Sequence, residues 1–315
     1  MKYKVFRLHF PAGVHFGKGR LEDTAYTFKA DTLFSALCIE AVKDGEEHLL
    51  KLVEYAKQGK LIISDGLPYI GNEYYIPKPV CNINMKEVEE ASDSSVKKLY
   101  KKIEYIPVGY IEDYMSGDFP SYIAQEFDNF GKKYVKVSAF VNGEEDTVPY
   151  RVGQYYYNEN NGLYVIAQAE DKDILDEFEK LLISTGLSGI GGERSSGLGR
   201  FEVEHADESD VSELIDGLNK ESGEYITLSV SLPKDGELEN VLKDAEYRII
   251  KRSGFVASYS CNKNNRDTRK RDLYVLEAGA WVHQRYEGDV YDVSDSGNST
   301  HAVYRYAKPM FLSVR

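Results

Sequence analysis

Cysteine is scarce: Cys38, Cys81 and Cys261 are odd in number and far apart. That excludes a disulfide framework and any zinc-ligand spacing, and a reducing cytoplasm is the simple reading. No run of about twenty apolar residues occurs, so no membrane-spanning helix is expected. The first twenty residues mix Lys, Arg, His and Gly with apolar side chains and carry no signal-peptide core. Nor is there an excess of positive charge, since 39 Lys and Arg against 52 Asp and Glu give a formal charge of −13. So acidic a chain repels polyanions over about 8–10 Å in physiological salt, so any nucleic-acid site must be local and basic. The carboxylates form no recurring pattern that would hold a metal, and neither metal nor cofactor is expected.

What is present is room and glycine. The 315 residues, 42% hydrophobic and 29% charged, suit a soluble protein of about two domains. The stretch Gly186 to Phe201 holds six glycines, three serines and the cations Arg194 and Arg200. Glycines admit positive φ and close approach, and exposed N–H groups in such turns form an anion nest, so a phosphate is the expected ligand. A P-loop is excluded because Leu198 and Gly199 stand where Lys and Ser or Thr would follow Gly197. A dinucleotide fingerprint needs glycine at Arg194 and runs from strand to helix, whereas this loop runs from helix to strand. A glycine-rich turn without a ligand is the alternative. Three basic islands accompany it: Lys97-Lys98 with Lys101-Lys102, Lys251-Arg252, and Arg266 with Arg269-Lys270-Arg271. Each also fits a solvated charged face. Most of the 25 tyrosines are expected in strands, although tyrosine also stacks bases.

Periodicity predicts a strand over Tyr3–Phe10, then a glycine-bearing basic bend, Ala12 to Arg20. Asp31 reads as the N-cap of a helix carrying Leu33, Phe34, Leu37 and Ala41, and Glu46–Lys57 as a second helix. Leu61–Ser64 reads as strand. Tyr75-Ile76-Pro77-Lys78-Pro79 is excluded as a central strand by its prolines. The Lys- and Glu-rich Cys81–Tyr105 looks like a protrusion. Tyr155–Tyr157 and Leu163–Ala167 flank an Asn/Gly turn and predict a hairpin. Asp171–Thr185 reads as helix, with Gly186 just past its end. Residues 206–224 read as a connector with a short helix. A second unit opens on the alternating Ile226, Leu228, Val230 and Leu232. Leu238–Ala245 reads as helix, and Tyr247–Ile250, Leu273–Val282 and Ala302–Val314 as strands. Each half orders strands and helices in the ferredoxin-like pattern, whose four-stranded sheet is also the RNA-recognition scaffold. The expected fold is therefore α+β, with ferredoxin-like domains at 1–205 and 225–315.

The loop Gly189-Ile190-Gly191-Gly192-Glu193-Arg194-Ser195-Ser196-Gly197-Leu198-Gly199-Arg200-Phe201 resembles the signature glycine-rich loop of the RAMP superfamily of CRISPR proteins. Within it, four further stretches are similar to the family of subunit four of the type III-A Csm complex. They are His15 to Gly19, Ala30 to Leu37, Lys251-Arg252-Ser253-Gly254-Phe255, and Tyr306 to Phe311. The resemblance implies a non-catalytic, crRNA-binding scaffold of an RNA-guided antiviral complex in the cytoplasm. Such a subunit holds the 5′ repeat-derived tag of the guide, adjoins a backbone RAMP subunit, and anchors the large polymerase-like subunit. It meets target RNA indirectly, through a thumb hairpin inserted in the first domain, placed here at about 81–105 with Ile83 or Met85 as the wedge residue. The residues implied in RNA binding are His15, Phe16, Lys18, Gly189, Ile190, Gly191, Gly192, Arg194, Ser195, Ser196, Lys251, Arg252, Ser253, Gly254 and Phe255. Their chemistry suits that role: amides and cations for phosphates, aromatics for bases. Phe255 fits a core position equally well.

Two rivals belong to other classes. Some RAMP proteins cut precursor RNA by general acid–base catalysis, and His15 is the histidine placed for it, with Tyr26 or a lysine as the second group. The other rival is a pure protein-interaction module, favoured by the acidic charge. Salt dependence separates that module from an RNA binder.

Overall fold

The computed structural model describes residues 1–81, 98, 100–140, 148–256, 269–295 and 301–314. The first half is built around β1 (Lys2–His9). Its alternation gives the strand two buried faces. Phe6 and Leu8 enter one core with Phe34, Leu37, Phe178 and Leu182, while Val5 enters another with Tyr69, Tyr74 and Ile226. After β1 come the small hairpin β2 (Phe16–Lys18) and β3 (Arg20–Ala25), then helices α1 (Ala30–Asp44) and α2 (Glu46–Lys57). Strands β4 (Leu61–Ile63), β5 (Leu67–Ile70), β6 (Glu73–Pro77) and β7 (Tyr105–Pro107) follow. Next are β8 (Gly131–Phe140), β9 (Val148–Tyr157), β10 (Asn161–Ala169), the long helix Lys172–Ser188 and β11 (Glu202–His205). The main sheet runs β11-β1-β10-β5-β6-β7, with β4 also on β10. Helix α1 packs against α2 and the long helix over its first core.

Several local expectations change. Strands β9 and β10 flank a turn as expected, with Asn161 N–H donating to Asn158 O and Asn160 at φ 60°. They do not pair as a hairpin: β9 pairs with β8 through a ten-residue register, and β10 lies between β1 and β5. The turn turns a corner between two sheets. The proline-bearing β6 is an internal strand, because Pro77 sits at its last position and the other residues keep their N–H groups. The helix before the glycine loop continues through Gly186 to Ser188. There a Cβ would stand 2.3 Å from Phe201 O, so Gly186 serves close packing rather than termination. Asp171 is that helix's N-cap, accepting from Ile174 N at 3.0 Å. The end of the expected protrusion is core, with Tyr100 and Ile103 buried and Tyr100 stacked on Tyr114. Ile83 and Met85 lie outside the described residues.

The second half contains a three-stranded sheet, Tyr225–Thr227 between Trp281–Val282 and Phe311–Ser313. It also has two hairpins, Ile249–Arg252 with Leu273–Leu276 and Asp289–Asp292 with Tyr304–Ala307. The alternating segment from Ile226 is buried on both faces, since Thr227, Ser229 and Ser231 are as enclosed as Leu228 and Val230. Its apolar residues share cores with the first half, and its backbone bonds to it: Asp65 N–H donates to Leu228 O at 2.9 Å. Asp65 Oδ1 accepts from Ala30 N at 2.8 Å and Val230 N at 3.0 Å. Asp65, not Asp31, therefore satisfies the first amide of α1, whose N-cap position is Lys29. Across the same seam, Lys308 donates to Lys57 O at 3.1 Å, one of the carbonyls a helix end leaves open.

Candidate nucleic-acid interface

The seam opens into a cleft of about 1020 Å³. Three bends far apart in sequence meet there: His15 to Lys18 after β1, the glycine loop, and Arg248 to Phe255 of the second half. Of the fifteen residues expected to bind RNA, all but Ser195 and Ser196 line it. The Ser196 hydroxyl, in the loop's helical turn, donates to Glu193 at 3.4 Å.

The glycines let the loop fold against β1 and itself. Gly192 N–H donates to His15 O at 2.9 Å, and Ile190 N–H to Gly199 O at 2.9 Å. A Cβ at Gly199 would stand 2.0 Å from Ile190 O, and one at Gly191 2.6 Å from His15 O. Internal bonds thus engage the amides of Gly189, Ile190 and Gly192, while Gly191 N–H has no partner among the described residues. The nest is narrower than a row of four amides. His15 is 6% exposed, and its Nδ1–H donates to Gly153 O at 2.6 Å, which leaves Nε2 as the acceptor nitrogen. Phe16 is core, edge-on to Phe10 and Phe28. Phe255 is 56% exposed under the Arg269 guanidinium, so it is the bend's available ring.

Charge is the cleft's distinctive property. Nine lysine and arginine side chains line it against three carboxylates, an excess of six positive charges in a chain whose net charge is −13. The base of the cleft is an ion-pair hub that periodicity did not reveal. Asp31, in the first turn of α1, takes two bonds from Arg252, at 3.0 and 2.7 Å, and one from Arg305 at 2.7 Å. Burial opposes ionisation of Asp31, but Arg252 and Arg305 outweigh it and hold the carboxyl below its usual range. Arg252 thus lines the cleft with its fork turned inward. Lys270, bonded to Ser35 Oγ at 3.1 Å, has its pKa lowered by burial and by Arg305. Lys251 pairs at the surface with Asp272 at 2.7 Å, and Arg194 and Lys18 make no ion pair among the described residues. Sequence reasoning missed Arg305, Lys29, Lys78 and Arg248. The one legible signal was arginine between the strand tyrosines Tyr304 and Tyr306. No group of three or more His, Cys, Asp or Glu among the described residues is arranged to hold a metal ion. Nor is any helix there long and apolar enough to cross a membrane.

Comparison with known proteins addresses the family of the chain. Residues 220–314 match the CRISPR Csm4 C-terminal domain family. The Csm4 protein of Mycobacterium tuberculosis is 36% identical, covering 100% of this chain and 98% of its own. That of Streptococcus thermophilus is 33% identical, covering 100% and 99%. Among solved structures, the Csm4-containing Csm3-Csm4 subcomplex of the type III-A CRISPR-Cas interference complex matches with TM-score 0.65 and 21% identity, over 98% of both chains. A Csm1-Csm4 cassette in complex with AMPPNP matches with TM-score 0.62 and 18% identity, over 99% of this chain and 98% of that one. With full-length relatives at this identity, the chain belongs to the Csm4 family of CRISPR proteins.

Proposed function

We propose that the chain is the non-catalytic, crRNA-binding subunit of a cytoplasmic type III-A complex, and that its cleft holds the 5′ tag of the guide. The observation that carries this is the charge inversion, nine cations to three carboxylates in an acidic chain. A single strand suits such a cleft, with phosphates on cations and the free Gly191 amide and a base on exposed Phe255. The sheet order β11-β1-β10-β5, with α1 after β1 and the long helix after β10, supports a ferredoxin-like first domain. The β8–β9 hairpin, inserted between β7 and β10 and bearing Lys132, Lys133 and exposed Tyr134, is a candidate for the family's thumb. As partners we infer a backbone RAMP subunit and the large polymerase-like subunit, because relatives were solved as Csm3-Csm4 and Csm1-Csm4 assemblies.

His15 positions the loop in this reading. Its ring is buried and bonded to Gly153 O, and Tyr26, the proposed second group, donates to Glu104 while burial and neighbouring Tyr105 push its pKa up. Pull-down of the complex from cells carrying a CRISPR array tests both points. Guides with a common 5′ end are expected with the wild type, and fewer with Arg194→Ala/Lys251→Ala. Undiminished retention in that variant would overturn the site assignment. Loss of guide maturation in His15→Ala would restore the nuclease.

A further inference from the structure

Positive charge is not spread evenly along the cleft. At one end Lys18, Arg194, Lys251 and Phe255 line the cleft with the glycine loop, where the lining carboxylate Asp31 is buried under Arg252 and Arg305 and Asp272 pairs with Lys251 at the surface. At the other end two carboxylates, Glu104 and Glu277, line the opening beside Lys29, Lys78 and Arg248. The same hairpin spans both ends. Glu277 N–H donates to Arg248 O at 2.9 Å, and Arg248 precedes Arg252 by four residues, about 13 Å along a strand. The Glu277 side chain is 31% exposed, and Lys29 Nζ stands 3.6 Å from it, shared with Asp65 at 3.3 Å. Glu104 accepts from the Tyr26 hydroxyl, and its second oxygen accepts no hydrogen bond among the described residues.

With two carboxylates against three cations, and Lys29 shared between Glu277 and buried Asp65, this end attracts the sugar–phosphate chain less than the glycine-loop end does. An ionised carboxylate only accepts hydrogen bonds, and it is satisfied by the N–H donors of a base edge. Adenine, cytosine and guanine each offer an exocyclic amine, whereas uracil offers one N–H flanked by two carbonyl oxygens that the carboxylate repels. We propose that Glu277, with Glu104, forms a base-reading subsite that takes a nucleotide bearing an exocyclic amine and rejects uridine. This inference rests on the RNA-binding reading of the cleft and names the specificity of one position within it.

The test is selection of a random single-stranded RNA octamer library on the full-length chain, followed by sequencing of what is retained. For the wild type, one position is expected to be depleted of uridine about fivefold or more, within the discrimination of a specific base contact. Glu277→Gln, whose amide both donates and accepts, is expected to erase that depletion among the RNA still retained. Glu104→Gln gives an independent second reading. Depletion that persists in both variants, or no depletion in the wild type despite retained RNA, overturns the subsite and leaves the cleft intact. Retention of no RNA by the folded chain overturns the cleft's reading and the subsite with it.

Discussion

Asp31 is the residue on which the two halves of the cleft depend. Its carboxylate is 4% exposed and faces Arg252 and Arg305, the latter equally buried. Removing one member of a buried ionic group leaves the others uncompensated. Asp31→Asn is therefore expected to destabilise the protein by about 3–5 kcal/mol, read by urea unfolding at neutral pH. Its pH dependence follows from the lowered pKa. The contribution is fully present above the ordinary aspartate value of about 3.9 and is lost as pH falls through the lower folded value. The stability gap between wild type and Asp31→Asn is thus expected to narrow on acidification below about pH 4. A gap independent of pH would mean that the pair does not act through charge. Sequence pattern made Asp31 an N-cap because Asp before an apolar stripe has that signature. The signature is blind to an arginine 274 residues away.

At the scale of elements, the glycine loop separates two uses of the same residue. Gly199 and Gly197 both have positive φ, 75° and 87°. A Cβ at Gly199 would meet Ile190 O at 2.0 Å, whereas one at Gly197 meets nothing within 4 Å. Gly197→Ala is expected to be destabilised only by the left-handed strain it introduces, about 1–2 kcal/mol. Gly199→Ala adds overpacking of about 1–3 kcal/mol, and the difference is measurable by chemical denaturation. Equal losses would show that the loop yields at Ile190. Periodicity located β1 by its alternation, and both early helices and the long helix by the apolar stripe each presents. Pairing was not legible in the same way. The turn at Asn158–Asn161 looks alike whether its strands join each other or separate sheets, and here contacts with β8, β1 and β5 decide. The glycine loop was visible as a shaped turn, but which amides stay free depends on His15 O and Gly199 O, acceptors that only the fold brings near.

For the whole molecule the contest is between a formal charge of −13 and the cations gathered in one cleft. The negative remainder acts at long range and is screened beyond about 8–10 Å, while contacts inside the cleft are made at bonding distance. Rising salt weakens both the distant repulsion and the phosphate contacts, but counterion release from the RNA dominates. For a single strand the slope of log affinity against log salt falls by about 0.7 for each phosphate neutralised. Lys18, Arg194 and Lys251 are three of the cleft cations that the buried hub does not engage, and Lys251 needs only to leave a surface pair with Asp272. The triple variant Lys18→Ala/Arg194→Ala/Lys251→Ala is expected to lower the slope by about 2 if each contacts one phosphate. Fluorescence anisotropy with a labelled single-stranded RNA at several salt concentrations measures it, and retained thermal stability checks the fold. Arg252 and Arg305 are left in place because they neutralise Asp31, so a loss of affinity reports contact rather than unfolding. A wild-type slope near zero would instead show that the cleft cations do not neutralise phosphates, and would overturn the RNA-binding reading of the cleft.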